Sequence, residues 1–131
     1  MAKVELDPLA VLTQARALIA DPEHWCRSAP ARYCRQGRGR GKGRHKAAWL
    51  PTHATDRRAA RWCAAGALCA VVGVRSGAPG FVQLDAAAVD LFGVGIGRAN
   101  DDPRLGHADM LRCYDLAIAL AGETGTVRRA S

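Results

Sequence analysis

"WCAAGALCAVVGV", residues 62–74, is the longest uncharged run in a chain of 131 residues, and its reading decides the fold. At helical spacing one face carries Trp62, Gly66, Cys69 and Gly73, and another carries Cys63, Ala67, Val71 and Val74. A helix that is apolar all round belongs in the middle of a core. Its small side chains let neighbours approach closely, so Gly66→Leu is expected to destabilise strongly by overpacking. As a helix the run would be about 20 Å long, too short for the roughly 30 Å hydrocarbon layer of a bilayer. Just upstream, Thr55-Asp56 reads as the N-cap of the same helix, which puts Arg57, Arg58 and Arg61 at its entrance.

Working outward, Asp7-Pro8 reads as an N-cap followed by proline at the first helical position. Leu12, Ala15, Leu18 and Ile19 then recur at helical spacing until Asp21-Pro22 stops the run. A second short helix is expected over residues 23–28. Residues 47–52, with Trp49 and Leu50, re-anchor the chain on the core after a charged stretch. Phe81 to Leu84 reads as a short strand, and Asp85 as the cap of a short helix that Gly93 ends. In the final helix Met110, Leu111, Tyr114, Ala117, Ile118 and Ala121 form one apolar stripe, closed by Gly122. The expectation is a mainly α fold: one compact domain over residues 1–131 with four to five helices. It has one long basic Gly/Arg loop at 34–46, room for a minor short strand pair, and a tail at 124–131 that frays. "HWCRSAPARYC" and "RWCAAGALCAV" also echo one another, each a Trp-Cys followed by small residues and a second Cys. Two such short copies do not make a repeat architecture.

Hydrophobic residues make up 49% of the chain, and so many are Ala that the core should be thin and closely packed. The five cysteines are odd in number and show no CxxC spacing. With an acid and a proline in "MAKVELDPLA" where a signal peptide needs an apolar core, reduced thiols in the cytoplasm are the expectation. The formal net charge of +7 is local: residues 32–61 hold ten Lys or Arg and one acid, and the remainder is slightly acidic. A basic device on a near-neutral domain is the pattern of an anion-binding surface.

At "RWCAAGAL", followed by "ANDDPRLGHADMLRCYDLAIALA", the chain resembles an uncharacterised small-domain family of actinobacteria and their phages. The residues that carry the resemblance are Trp62, Cys63, Gly66 and Ala67 of a W-C-x-x-G-A helix, Asn100 and Asp101 of an Asn-Asp turn, and Asp115, Ala117 and Ile118 of the final helix. The resemblance implies the helical fold and a phage-related context. It brings no established activity, and the Gly-Arg insertion departs from the family's pattern.

The charge is densest in "CRQGRGRGKGRHK", residues 34–46, where seven of thirteen residues are Arg, Lys or His and four are Gly. Guanidinium forks pair with phosphate oxygens, and glycine lets backbone N–H groups come close to them. Arg38, Arg40, Lys42 and Arg44 alternate with glycine, so in an extended chain successive charges are about 6 to 7 Å apart, near the spacing of backbone phosphates. With Arg35 and Lys46 they form the candidate anion-binding set, joined by Arg57, Arg58 and Arg61. Cations at a helix N-terminus are unfavourable unless an anion shares the site. Tyr33 and Trp49 are the candidate stacking residues for bases. The expected partner is nucleic acid or another polyanion, such as a signalling nucleotide or a host ribonucleoprotein. In that setting a host-takeover or anti-defence role follows.

Two other chemistries compete. Cys63 with His107 and Asn100 or Asp101 has the residue types of a papain-like hydrolase or acyl transferase. Two turns inside a helix capped at Asp56, however, a buried Cys63 gains little from the helix dipole and stays an inert thiol. A helix starting as late as Ala60 would reopen that role. A module docking on an acidic host protein is the other alternative. Cys26, Cys34, His24, His45 and His53 lack the short-spaced pairs of a structural zinc site. No cofactor motif is present: "GRGRGKGRH" lacks the P-loop GK[ST], and "GVGIGRA" lacks a βαβ setting. Asn100-Asp101-Asp102-Pro103 reads as a turn and N-cap, with His107 near the start of the final helix.

Overall fold

Asp7 caps the first helix, α1 (Pro8–Leu18), its carboxylate accepting the Leu9 N–H at 3.3 Å. The computed structural model describes residues 7–35 and 48–130, with side chains through Glu123. Val11, Leu12, Ala15 and Ile19 bury one side of α1, as the spacing predicts. After Asp21-Pro22 the chain makes only a single 3-10 turn, Pro22–His24, and then runs extended rather than helical. Backbone pairing explains the difference, because Trp25 bridges Trp62 and the Cys26 N–H donates to the Trp62 carbonyl at 3.1 Å. The two Trp-Cys dipeptides that echo one another in sequence thus lie side by side.

Three short strands follow: β1 (Ala31–Arg35), β2 (Ala48–Thr52) and β3 (Arg61–Trp62). They form an antiparallel sheet in the order β2-β1-β3, with Ala31 opposite both Thr52 and Trp62. Cys34 and Arg35 therefore belong to a strand, and the connection between the strands begins at residue 36. Arg38, Arg40, Lys42, Arg44, His45 and Lys46 lie outside the described residues.

The central helix, α2 (Ala64–Val72), starts seven residues later than an Asp56 cap requires. Thr55-Asp56 forms a turn instead. The Asp56 carboxylate accepts the Arg58 N–H at 2.8 Å and the Thr52 hydroxyl at 2.5 Å, which closes the backbone locally. The Pro30 carbonyl then takes the Cys63 N–H at 3.1 Å, and Cys63 becomes the N-cap. Phe81 to Leu84 is not a strand but the first turn of α3 (Phe81–Phe92). Leu84, Ala87 and Ala88 are buried at helical spacing there, and Gly93 ends the helix at φ 77°. Asp85 caps a different helix, its carboxylate accepting the Ile96 N–H at 2.8 Å at the start of α4 (Ile96–Asp101).

The last helix, α5 (His107–Ala130), runs through Gly122 instead of ending there. One interior glycine costs a helix about 1 kcal/mol, too little to stop it. Met110, Cys113, Tyr114, Ala117 and Ala121 face the core with Leu12, Leu68, Leu84 and Ile96. Tyr114 spans the layer and donates its hydroxyl to the Ala64 carbonyl at 2.5 Å. The fold is mainly helical, with five helices beside a small three-stranded sheet among the described residues, in one compact domain. Among the described residues no helix is long and apolar enough to cross a membrane.

Candidate functional site

β3 pairs with only the first two residues of β1, so beyond Arg32 the sheet narrows to a two-stranded ribbon. Its register sets Tyr33 opposite Leu50, Cys34 opposite Trp49 and Arg35 opposite Ala48. Directly opposed residues share a face, and successive residues alternate. Arg32, Cys34, Trp49 and Arg61 therefore lie on one face, with Tyr33 and Arg35 on the other. The two candidate stacking residues do not form one platform.

Each is instead covered by a candidate arginine. The Arg58 guanidinium lies 4.0 Å from the centroid of the Tyr33 ring, and that of Arg61 lies 3.7 Å from the Trp49 ring. Arg61 is further held by its Nε, which donates to the Glu23 carbonyl at 2.9 Å. Arg58 also pairs with Asp56 at 2.9 Å. That side-chain contact, with the Thr52 hydroxyl second, holds the Asp56 carboxyl below the usual carboxylate range. Arg57 and Arg35 are exposed. All of these stand in the turn before β3 or on the sheet, not at a helix entrance, so the helix-dipole argument for an anion beside them does not apply. What the structure brings together is a set of paired cations and aromatics beside the strand ends that the basic run joins.

A concavity of about 380 Å³ opens on the Trp49 face, walled by Leu18, Glu23, His24, Trp49, Arg61 and Trp62. Both indoles are half-buried, and Glu23 and His24 are exposed. Composition alone hides this site, because its walls come from α1, the 3-10 turn, β2 and β3. The only sequence signal is that four of the seven aromatics fall within residues 25–62.

Cys63 lines a second cleft, of about 370 Å³, with Ser28, Pro30, Cys69, Arg75, Asn100 and Asp101 on its walls. The late helix start puts the thiol at the N-cap, where its Sγ accepts the Gly66 N–H at 3.1 Å. Burial nevertheless pushes the Cys63 thiol up, against the opposing pull of the Gly66 and Ala65 N–H groups. His107 is not on these walls. Its Nε2 lies 2.5 Å from the Ile19 carbonyl oxygen, and its ring packs against Trp25 with centroids 5.9 Å apart. Cys63, Asn100 and Asp101 therefore gather while His107 stands apart. Among the described residues no three His, Cys, Asp or Glu side chains are placed to hold a metal ion. His53 lies against the Thr55 hydroxyl at 2.9 Å, and Cys26 is buried with its Sγ donating to the Ala29 carbonyl.

Asn100 is the one buried polar side chain among the described residues, and each of its polar atoms is satisfied. Its Oδ1 accepts the Trp25 indole N–H at 2.7 Å and the Ala64 N–H at 2.9 Å. Its Nδ2 donates to the Cys26 carbonyl at 3.0 Å and to Asp101 at 3.3 Å. Asp101 in turn accepts the Ser28 N–H at 2.7 Å, holding that residue at φ 64°. Asp115 pairs with Arg16 of α1 at 2.7 Å. The Trp-Cys and Asn-Asp motifs thus bolt α2 and α4 to the segment between Trp25 and Pro30, while Asp115 of the Asp-x-Ala-Ile motif ties α5 to α1. A family model spans all of these positions, matching residues 4–120. The chain belongs to DUF6197, a family of unknown function. Within this DUF6197 chain the motif residues hold the scaffold, while the arginines and aromatics of the ribbon face solvent. No curated protein and no solved structure matches it.

Proposed function

We propose that this DUF6197 protein binds nucleic acid through the basic hairpin, gripping the phosphate backbone without base-specific readout. The observation that carries the reading is the Arg58–Tyr33 and Arg61–Trp49 pairing beside strand ends joined by a run of bases. An exposed cation–aromatic contact is worth about 0.5–1 kcal/mol. Stacking a base on an aromatic ring is worth about 1–3 kcal/mol, and a freed guanidinium can take a phosphate. A base can therefore replace the cation on its ring, while the Asp56 and Glu23 contacts keep Arg58 and Arg61 beside it. The resemblance to proteins of actinobacteria and their phages supports a host-takeover or anti-defence setting, in which the nucleic acid is free or part of a host ribonucleoprotein.

The test is the salt dependence of binding. Each neutralised phosphate adds about 0.7 to 0.9 to the slope of log affinity against log salt. Replacing Arg38, Arg40, Lys42, Arg44 and Lys46 together by Gln should flatten the slope by up to roughly 4. Circular dichroism of the variant should match that of wild type, so that a changed slope reports lost charge and not lost fold. A quintuple variant that binds as tightly as wild type, with the same slope, would overturn the reading. So would a wild-type protein that binds an acidic protein partner but is not competed from it by nucleic acid at matched salt.

A further inference from the structure

We propose that the concavity beside Trp49 receives one unstacked base of a single strand, which makes the protein a single-strand binder in preference to a duplex binder. This rests on the nucleic-acid reading above and adds to it a site, a geometry and a strand preference. The volume of about 380 Å³ lies in the range of roughly 300–1,000 Å³ found for small-ligand sites. The half-buried Trp49 indole and Leu18 supply apolar surface for a flat ring. The Arg61 guanidinium covers the Trp49 ring at 3.7 Å with its Nε on the Glu23 carbonyl, so an entering base takes the guanidinium's place on the ring and leaves the Nη donors at the mouth of the site. Those donors suit the phosphate attached to a base lodged in the site. The exposed Glu23 carboxylate offers an acceptor to an exocyclic amino group, and His24 stands beside it.

Position links this site to the backbone-gripping surface. Trp49 and Arg61 share the ribbon face that also carries Arg32, so a strand tracked across that face passes the mouth of the concavity. A base within a duplex is stacked and paired and presents no free face, whereas a single strand offers its bases at little cost. No buried polar side chain lines the concavity to read a base edge, so the site discriminates strandedness more than sequence.

The experiment measures binding of an oligothymidylate and of a duplex with the same number of phosphates, at one salt concentration, by anisotropy and by quenching of intrinsic tryptophan fluorescence. Wild type should bind the single strand about tenfold or more tightly than the duplex, with quenching on binding. Trp49→Leu should weaken the single strand about tenfold more than the duplex, removing most of that preference and of the quenching. Trp49→Phe, which keeps a ring, should restore the preference. Arg61→Gln, a second variant independent of the indole, should weaken the single strand more than the duplex. If wild type binds both forms equally, or if Trp49→Leu and Arg61→Gln both keep the wild-type preference, the base site is refuted while the hairpin reading stands. If wild type binds neither form at low salt, both are refuted.

Discussion

Gly66→Ala tests the architecture at its tightest point. A Cβ at residue 66 would sit 2.0 Å from the Pro30 carbonyl oxygen and 2.9 Å from its carbon, with the Cys63 sulfur at 3.2 Å. The first contact is with backbone, so no side chain can swing away. The Pro30 peptide would have to retreat by more than 1 Å to reach ordinary van der Waals separation, estimated roughly from a normal contact of about 3.2 Å or more. That carbonyl also accepts the Cys63 N–H, so the retreat breaks the bond that starts α2. Overpacking costs about 1–3 kcal/mol and the lost hydrogen bond about 1 kcal/mol more, against a helix-propensity gain of about 1 kcal/mol. The balance is a destabilisation of about 1–3 kcal/mol. At roughly 4 °C per kcal/mol for a domain of this size, the melting temperature should fall by about 4–12 °C in a thermal scan followed by circular dichroism. Gly122→Ala is the matched control, since nothing lies within 4 Å of a Cβ there and the change should hold or raise Tm. A Gly66→Ala protein as stable as wild type would show that Pro30 does not lie over α2.

Asn100→Leu should cost about 3 kcal/mol or more in urea denaturation, because it strands the Trp25 indole, the Ala64 N–H and the Cys26 carbonyl at once. A loss below about 1 kcal/mol would dismiss the bolt. Iodoacetamide mapping at neutral pH should label the half-buried Cys34 ahead of Cys63, whose thiol burial pushes up, and ahead of buried Cys26 and Cys113. Cys26 is raised to about 11 by burial, with Cys63 as the next cause, so its labelling should climb about tenfold per pH unit up to that value. Because the folded pKa is raised, the neutral thiol stabilises the fold below the unfolded pKa, and that contribution is lost as pH rises towards about 11. Asp102 has the opposite sign. The Arg104 side chain and N–H lower its carboxyl to about 2, so its contribution is present above the ordinary carboxyl range and lost as pH falls through about 2. An NMR titration of Asp102 with an ordinary midpoint would refute that contact.

Local signals in the sequence determine α1, the body of α2, the stop at Gly93 and the apolar stripe of α5. Each depends on neighbours three or four residues away, on an adjacent cap or on a glycine that accepts positive φ, so short windows contain the answer. The importance of Gly66 is legible for the same reason, as a small residue in an otherwise apolar run. Other features are set by distant partners. Tyr33 and Trp49 are both candidate stacking residues by type, but the register of β1 against β2 puts them on opposite faces, and that register depends on strands separated by twelve residues. Asp56 has the chemistry of a helix cap, yet contacts to Thr52 and Arg58 make it a turn, and the Pro30 carbonyl moves the helix start to Ala64. Asn100 resembles a turn residue or a catalytic orienter. Only packing shows that its four contacts come from Trp25, Cys26, Ala64 and Asp101, three of them far away in the chain. The sequence alone sets which segments can be helical and where charge concentrates. Tertiary structure decides which polar group meets which, because a buried hydrogen bond is worth its desolvation only when a remote partner is delivered to it.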